Sequence, residues 1–428
     1  MKMLDTMKNA WNVKEIRNKI LFTIFIIAVF RVGSFIPVPY VDVNQLLASS
    51  GSNEFFSYLS ILTGGGMEYG AIFAMSVTPY INASIIIQLL CVAIPALERL
   101  SKEGEEGQKK LASITRYATV VLALIQGVAY FFYLKNSRLL TVLTGKLVIF
   151  EAFVIVLAFT AGSALVMWLG EQIDVKGIGN GISILLFAGI LSRGDDLLIW
   201  LYSEAFQLKQ YVLAGGIVVA FLVVIAFIVW MTGAERRIPV QYAKRVVGNK
   251  MYGGQNTHIP IKVNMSGVMP IIFASSILMV PTMILGFMSA EQKQKTFAKF
   301  LALFSTRGTF YAILYFILII AFAYFYATIQ FNPIEMANNL RKNGGAIPGI
   351  RPGKSTSDFI AKILSRITLL GALFLSVVAI LPILVSNLGG VNISIGGTSV
   401  LIMVGVALEI VQNLESQMMM RHYKGFLD

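Results

Sequence analysis

GISILLFAGI at residues 181–190 has an echo half a chain later, GTSVLIMVGV at 397–406. Both read G-x-S-[IV]-L-[LI]-x-[AV]-G-[IV]. A second pair, PYINASII at 79–86 and PIIFASSI at 270–277, shares its proline, an inner isoleucine, Ala-Ser and a final isoleucine. All four segments lie in apolar runs of membrane-helix character. Counted along the chain, the second run matches the seventh and the fifth matches the tenth. Partners separated by five crossings run in opposite directions, so the echo predicts an inverted repeat of two five-helix halves related by an axis in the membrane plane.

The composition of the rest of the chain agrees. Of 428 residues, 56% are hydrophobic and 13% charged, and the mean hydropathy is +0.74. A soluble globule would carry roughly 25% charged residues and could not cover that much apolar surface. The long unbroken apolar runs exclude an outer-membrane barrel, whose strands alternate. The expected fold class is therefore an all-α polytopic membrane protein. A window of about 19 residues finds ten candidate spans. They lie near 19–37, 70–92, 115–134, 148–169, 182–201, 211–231, 267–288, 309–330, 364–385 and 397–414.

Charge sets the orientation. With ten spans, the segments on the side of the termini hold 25 Lys and Arg, and the opposite loops hold 9. The positive-inside tendency then places both termini in the cytoplasm. Arg31 lies within the first span, and IPVPY follows that span in place of a small-residue cleavage site, so no cleaved signal is expected there. The expected organisation is an amphipathic cytoplasmic segment at 1–18, a first half at 19–206, a second half at 207–416 and a cytoplasmic tail at 417–428.

Residues 53–68, NEFFSYLSILTGGGME, are apolar yet too short to cross. They read as a re-entrant half-helix hinged by Gly64, Gly65 and Gly66, or as an interfacial loop. Residues 1–19 interleave apolar and basic groups and suit a helix lying on the membrane surface, where anionic lipid would attract it.

In inverted-repeat folds the working site lies where the halves meet. The repeated helices offer mostly aliphatic groups there: Ile81 and Ile85, Ile182 and Leu186, Ile272, and Ile402. The i, i+4 spacing puts the members of each pair on one helix face. Ordinary helix packing accounts for such residues equally well, and the repeat alone does not choose.

Much chemistry is missing. The single Cys91 forms no disulfide within the chain, and two histidines, His258 and His422, leave no metal cluster of the usual kind. PGIRPGKST at 348–356 has Pro348 where a phosphate loop needs glycine. Arg31, Glu151 and Glu409 read as snorkelling or helix-end contacts rather than a proton relay. No catalytic, cofactor or metal site is expected, and the chain is not expected to be an enzyme.

Two cytoplasmic loops, 233–264 and 331–366, are long, basic and punctuated by Gly and Pro. Arg236, Arg237, Lys244, Arg245 and Lys250 lie in the first, and Arg351 in the second. Such loops suit docking of a large anionic partner.

FIPVP at 35–39, PYINASIIIQLL at 79–90, GIGNGISILLFAGI at 177–190, ERRIPVQYAKR at 235–245, QNTHIPIKVN at 255–264, NPIEMANNLRKNGGAIPGIRPG at 332–353 and GGTSVLIMVGVALE at 396–409 together resemble the SecY family along essentially the whole length. The resemblance implies a protein-conducting channel of the bacterial plasma membrane. It would pass unfolded preproteins across and release membrane helices sideways. It also implies a pore ring of Ile81, Ile85, Ile182, Leu186, Ile272 and Ile402, where Leu186 departs from the usual isoleucine. A plug near 55–68 and a lateral gate carrying Asn82, Gln88, Ser275 and Ser276 would follow, with those polar groups bonding between helices. Implied partners are SecE and SecG subunits, the SecA motor, the ribosome, signal peptides, and YidC and SecDF; Arg351 would engage SecA. Two other functions fit the sequence: an accessory paralogue serving a narrow set of exported proteins, and a secondary transporter for a small solute, although no polar substrate pocket is visible.

Overall fold

The computed structural model describes residues 11–49, 60, 63–137, 139–141, 147–194, 199, 202, 211–242, 245–247, 250–252, 256–288, 296–305, 308–389 and 397–424. The chain divides into two compact units. One comprises Met1–Tyr211, Ser276–Gly308 and Val406–Asp428, and the other Val212–Ser275 and Thr309–Gly405.

The first unit contains α1 (Lys14–Gly33), α2 (Val43–Ser49), α3 (Thr78–Ala93), α4 (Pro95–Lys102), α5 (Glu105–Asn136), α6 (Leu147–Lys176) and α7 (Gly181–Leu191). The span expected from residue 70 begins as a helix only at Thr78. Pro79 occupies its first turn, where the missing N–H costs nothing, and residues 70–77 before it are turns, with Gly70 and Ser76 at positive φ. α3 then bends by 103° into α4. The break falls at Ile94, whose extended backbone is what a following proline demands. α5 packs on α6 through aromatic and aliphatic groups, with Tyr130 edge-on to Phe159 at 4.9 Å.

The GIGNG run between α6 and α7 is a tight turn. Asn180 caps α7 by accepting from the Ser183 N–H, and Asp174 Oδ1 accepts from the Gly181 N–H at 2.7 Å. Gly179 has φ of +74°. A Cβ on Gly181 would stand 2.0 Å from the carbonyl oxygen of Gly170, so only glycine lets the start of α7 approach α6 this closely.

The second unit holds α8 (Tyr211–Gly233), β1 (Glu235–Tyr242), β2 (Arg245–Val247), β3 (Lys250–Tyr252) and β4 (Asn256–Lys262). The chain continues through α9 (Met269–Phe287) and α10 (Thr296–Ala302), the latter in the first unit. α11 (Thr309–Gln330), α12 (Pro333–Lys342), β5 (Gly345–Ala346), α13 (Lys354–Gly389) and α14 (Gly397–Lys424) complete the order. α9 and α14 each divide between the units. α11 lies against α13.

Among the described residues, five strands lie in the two basic loops, an element that the all-α expectation did not contain. β1 pairs antiparallel with β4 and, at Gln241 and Tyr242, with β5. The second loop therefore closes on the first. Ile238 and Val240 alternate inward to a core shared with Ile261, Leu340 and Ile360. Asn332 starts α12 by accepting from the Ile334 and Glu335 N–H groups, with Pro333 at the first helical position.

Among the described residues, six helices are long and apolar enough to cross a membrane, and seven if the bent α3–α4 pair is one span. α7 and the apolar part of α9 are shorter.

Candidate functional site

The repeat reappears in local structure. Gly181 and Gly397 each open a helix, and Pro79 and Pro270 each stand second in one. Burial follows the alignment too. Ser183 matches Ser399, Leu185 matches Leu401, Leu186 matches Ile402 and Ile81 matches Ile272, every one of them buried. All six aliphatic residues expected at the constriction are buried on their own helices. Ile81, Ile85, Ile182 and Leu186 belong to the first unit, and Ile272 and Ile402 to the second. The Cδ1 of Ile182 lies over Gly170 of α6 and fills the space a side chain at 170 would take.

Within the first unit an apolar cavity of about 270 Å³ opens between α3, α5 and the later part of α9. Ile85, Ile277, Met67 and Met283 contribute apolar wall, and Asn82 and Ser276 contribute polar wall. Thr78 also lines it, with a buried Oγ1 that has no hydrogen-bond partner among the described residues. Gln88 and Ser275 each make a bond within their own helix. Gln88 donates to Ser84 Oγ one turn back at 3.2 Å, and Ser275 donates to the Ile272 carbonyl at 2.9 Å. Both are local bonds of the kind short polar side chains make in apolar helices.

Residues 53–59 and 61–62 of the expected plug segment lie outside the described residues. Its glycines are described. Gly64 and Gly65 have φ of +64° and +91°, and all three glycines are buried. The turn they form is tied down on two sides. Val38 N–H donates to the Gly70 carbonyl, and Ile72 N–H to that of Ile36, both at 2.9 Å. Arg31 Nη1 donates to the Gly64 carbonyl and to Ser192 Oγ, each at 2.9 Å. Arg193 pairs with Glu68 at 2.6 Å, and both also engage the Ser60 hydroxyl.

This cluster was missed from sequence except for Arg31, whose helix-end contact is present and whose snorkelling is not. The signal was there: a carboxylate two residues after the glycine run, an arginine two residues after the repeated helix, and both assigned to the non-cytoplasmic side. Glu151 likewise does not snorkel; it is 2% exposed, with Oε1 unpartnered among the described residues.

On the paired loops, Arg236 and Arg237 are exposed on β1, and Arg237 shares an ion pair with Glu235. Arg351 is exposed between β5 and α13, and its carbonyl accepts from Thr356 Oγ1 at 2.9 Å. Arg245 and Lys250 fall on β2 and β3, while Lys244 lies outside the described residues.

Comparison with known proteins is consistent along the chain. The protein translocase subunit SecY of Thermotoga maritima is 41% identical, covering 99% of this chain and 98% of its own. That of Bacillus subtilis is 44% identical over 99% and 100%. A solved structure described as a protein conducting channel superposes with a TM-score of 0.62 at 18% identity, covering 94% of this chain and 92% of that one. The multi-pass helical membrane fold is thus shared with known channels. With the SecY family model matching residues 71–411 as well, the chain belongs to the SecY family.

Proposed function

We propose that this chain is the channel subunit of a bacterial Sec translocase, passing unfolded polypeptide through an aliphatic constriction and releasing apolar helices sideways. Ile81, Ile85, Ile182, Leu186, Ile272 and Ile402 are assigned to the constriction. A translocating chain is chemically arbitrary, so the channel cannot hold it by specific polar groups. Aliphatic side chains make no strong hydrogen bonds to it, and a closed ring of them sheds water. Kinship at 41–44% identity over nearly the full length supports the reading.

The observation that carries the lateral route is the cavity on α3, α5 and α9. Signal sequences present about 7–15 apolar residues. Flexible methionines such as Met67 and Met283 can repack around varied side chains, while Asn82 and Ser276 offer the few polar contacts that orient a helix. The basic excess supports cytoplasmic termini in a plasma membrane. There the paired loops with Arg236, Arg237 and Arg351 would dock SecA or the ribosome, and SecE and SecG would complete the complex. Among the structural neighbours, an Ssh1 complex was solved on the yeast ribosome, and a Sec61 in a ribosome–channel complex.

The test is site-specific photocrosslinking in the assembled complex during SecA-driven export of a stalled preprotein. Probes at Ile86 and Ile277, both on the cavity wall, should capture the signal sequence, and a probe at the exposed Leu222 of α8 should not. Capture of lipid alone at Ile86 and Ile277 would remove the lateral route.

A further inference from the structure

Three large apolar side chains stand exposed on the loop between α9 and α11. Phe297, Phe300 and Leu303 are 58%, 56% and 50% exposed. α10 carries the first two. Leu303 and Phe304 continue its coil, their N–H groups donating to the Phe300 and Leu301 carbonyls. Steps of three and four residues set Phe297, Phe300 and Phe304 along one side, where the Phe300 and Phe304 rings meet edge-on at 5.8 Å. Ala298 and Leu301, on the adjoining side, are buried. α10 is thus seated by one side and bare on the next.

An apolar patch on so short a segment marks a surface that something covers, and its place in the chain supplies the cover. α9 ends at Phe287 and α11 begins at Thr309. The chain is therefore back at a span seven residues after Ala302, at most about 25 Å away. α9 leads toward α10 with an exposed apolar row of its own, Ile277, Val280 and Ile284 at i, i+3 and i+7. Charge points the same way. The loop 288–309 holds Lys293, Lys295, Lys299 and Arg307 against Glu291, on the side that the positive-inside tendency depletes of basic residues. These five side chains lie outside the described residues and count here by sequence. Phe and Leu interleaved with Lys is the composition of a helix lying in a membrane interface. We propose that α10 is an anchor in the outer leaflet, with its phenylalanines among the upper acyl chains and the basic loop drawn to anionic phospholipid headgroups. The proposal rests on the orientation assigned above and not on the passage of polypeptide.

The test uses the full chain in its complex, reconstituted into vesicles, with Cys91→Ser removing the native thiol. Phe297→Cys and Phe300→Cys each receive an environment-sensitive fluorescent label. Two reference positions do too: Val377→Cys within the span of α13 and Arg236→Cys on β1, both at exposed residues. Phosphatidylcholine brominated near the headgroup should quench the labels at 297 and 300 by about twofold, and more than lipid brominated near the chain end. The label at 377 should show the reverse order, and the label at 236 should respond only to aqueous iodide. Adding phosphatidylglycerol should increase quenching at 297 and 300, and high salt should cancel the gain. In intact cells a membrane-impermeant thiol reagent should reach Thr296→Cys, also at an exposed residue, from outside, and Arg236→Cys only after permeabilisation.

Labels at 297 and 300 quenched by iodide and by neither lipid would leave α10 in water and overturn the anchor. Protection from iodide and from both lipids would show that protein covers this face, and would overturn it equally. Stronger quenching by the deep bromine than by the shallow one would put the helix inside the hydrocarbon and overturn the interfacial seat. Quenching that neither phosphatidylglycerol nor salt moves would overturn the preference for anionic lipid. A Thr296→Cys thiol reached only after permeabilisation would overturn the outer placement together with the orientation. A complex anchored as expected that captures no signal sequence at Ile86 and Ile277 fails the lateral-route reading separately.

Discussion

From Ser183 to Ala188 and from Ser399 to Val404 the chain sets the same kinds of residue with matching burial, Leu186 at 2% and Ile402 at 3% exposed. Beyond that point the two helices diverge. α7 stops at Leu191, where Ser192 and Arg193 turn back on the glycine segment. α14 runs on to Lys424, and its extension packs Leu414 and Ile410 against Ile16 of α1 and Ile178 of the GIGNG turn. The sequence after each repeat explains the split. SRGDD follows the first, and its short polar residues and glycine compete with helical hydrogen bonds. ALEIVQNL follows the second, and most of its residues favour helix. A shared pattern thus fixes which face is buried, and the next few residues decide what each helix holds.

The largest expected effect strikes the start of α7. Gly181→Val drives a side chain into the Gly170 carbonyl and should cost about 3 kcal/mol or more, read as a lower midpoint in thermal unfolding of the purified complex. An unchanged midpoint would show that the approach of α7 to α6 is not what its glycine secures. Next comes a residue only α14 possesses. Leu414 is buried among Ile16, Ile178 and Val13, and Leu414→Ala should cost about 3 kcal/mol by the same measurement. A loss below about 1 kcal/mol would mean that the extension is not needed to hold α1.

The aliphatic positions were legible because a repeat compares one half with the other, and membrane solvent enforces burial at fixed periodicity. The start of α3 was missed by several residues because hydropathy does not see that Gly70–Val77 turns before Pro79. The strands of the basic loops were missed because Ile238, Val240 and Ile261 bury only against a second loop nearly a hundred residues away, and alternation over so few residues is weak. The Arg193–Glu68 pair was missed because its members are far apart in sequence and each alone resembles an ordinary loop charge.

The equivalence of the two helices is itself open to a test of intermediate size. Leu186→Asn and Ile402→Asn each place an amide at a matched buried position, at a stability cost of about 1–3 kcal/mol if it stays unpaired. If both line the constriction, each should raise resting conductance by about tenfold, because the amide recruits water where the aliphatic group excluded it. Leak from one variant and none from the other would break the equivalence and leave a single helix in the ring.

The smallest effect separates polar from apolar support of the α14 extension. Lys19 Nζ donates to Gln417 Oε1 at 3.2 Å, beside the Ile16–Leu414 cluster. Such a partly exposed bond is worth about 0.5–1 kcal/mol, well below the loss expected for Leu414→Ala. A double-mutant cycle of Lys19→Met and Gln417→Ala isolates it, since each change also alters packing that the bond does not explain. A coupling near 0.5 kcal/mol would assign the bond a minor share, with the apolar contacts dominant. A coupling as large as the Leu414→Ala loss would reverse that order and make the hold on the extension polar, like the contacts at the end of α7, erasing the distinction between the two helix ends.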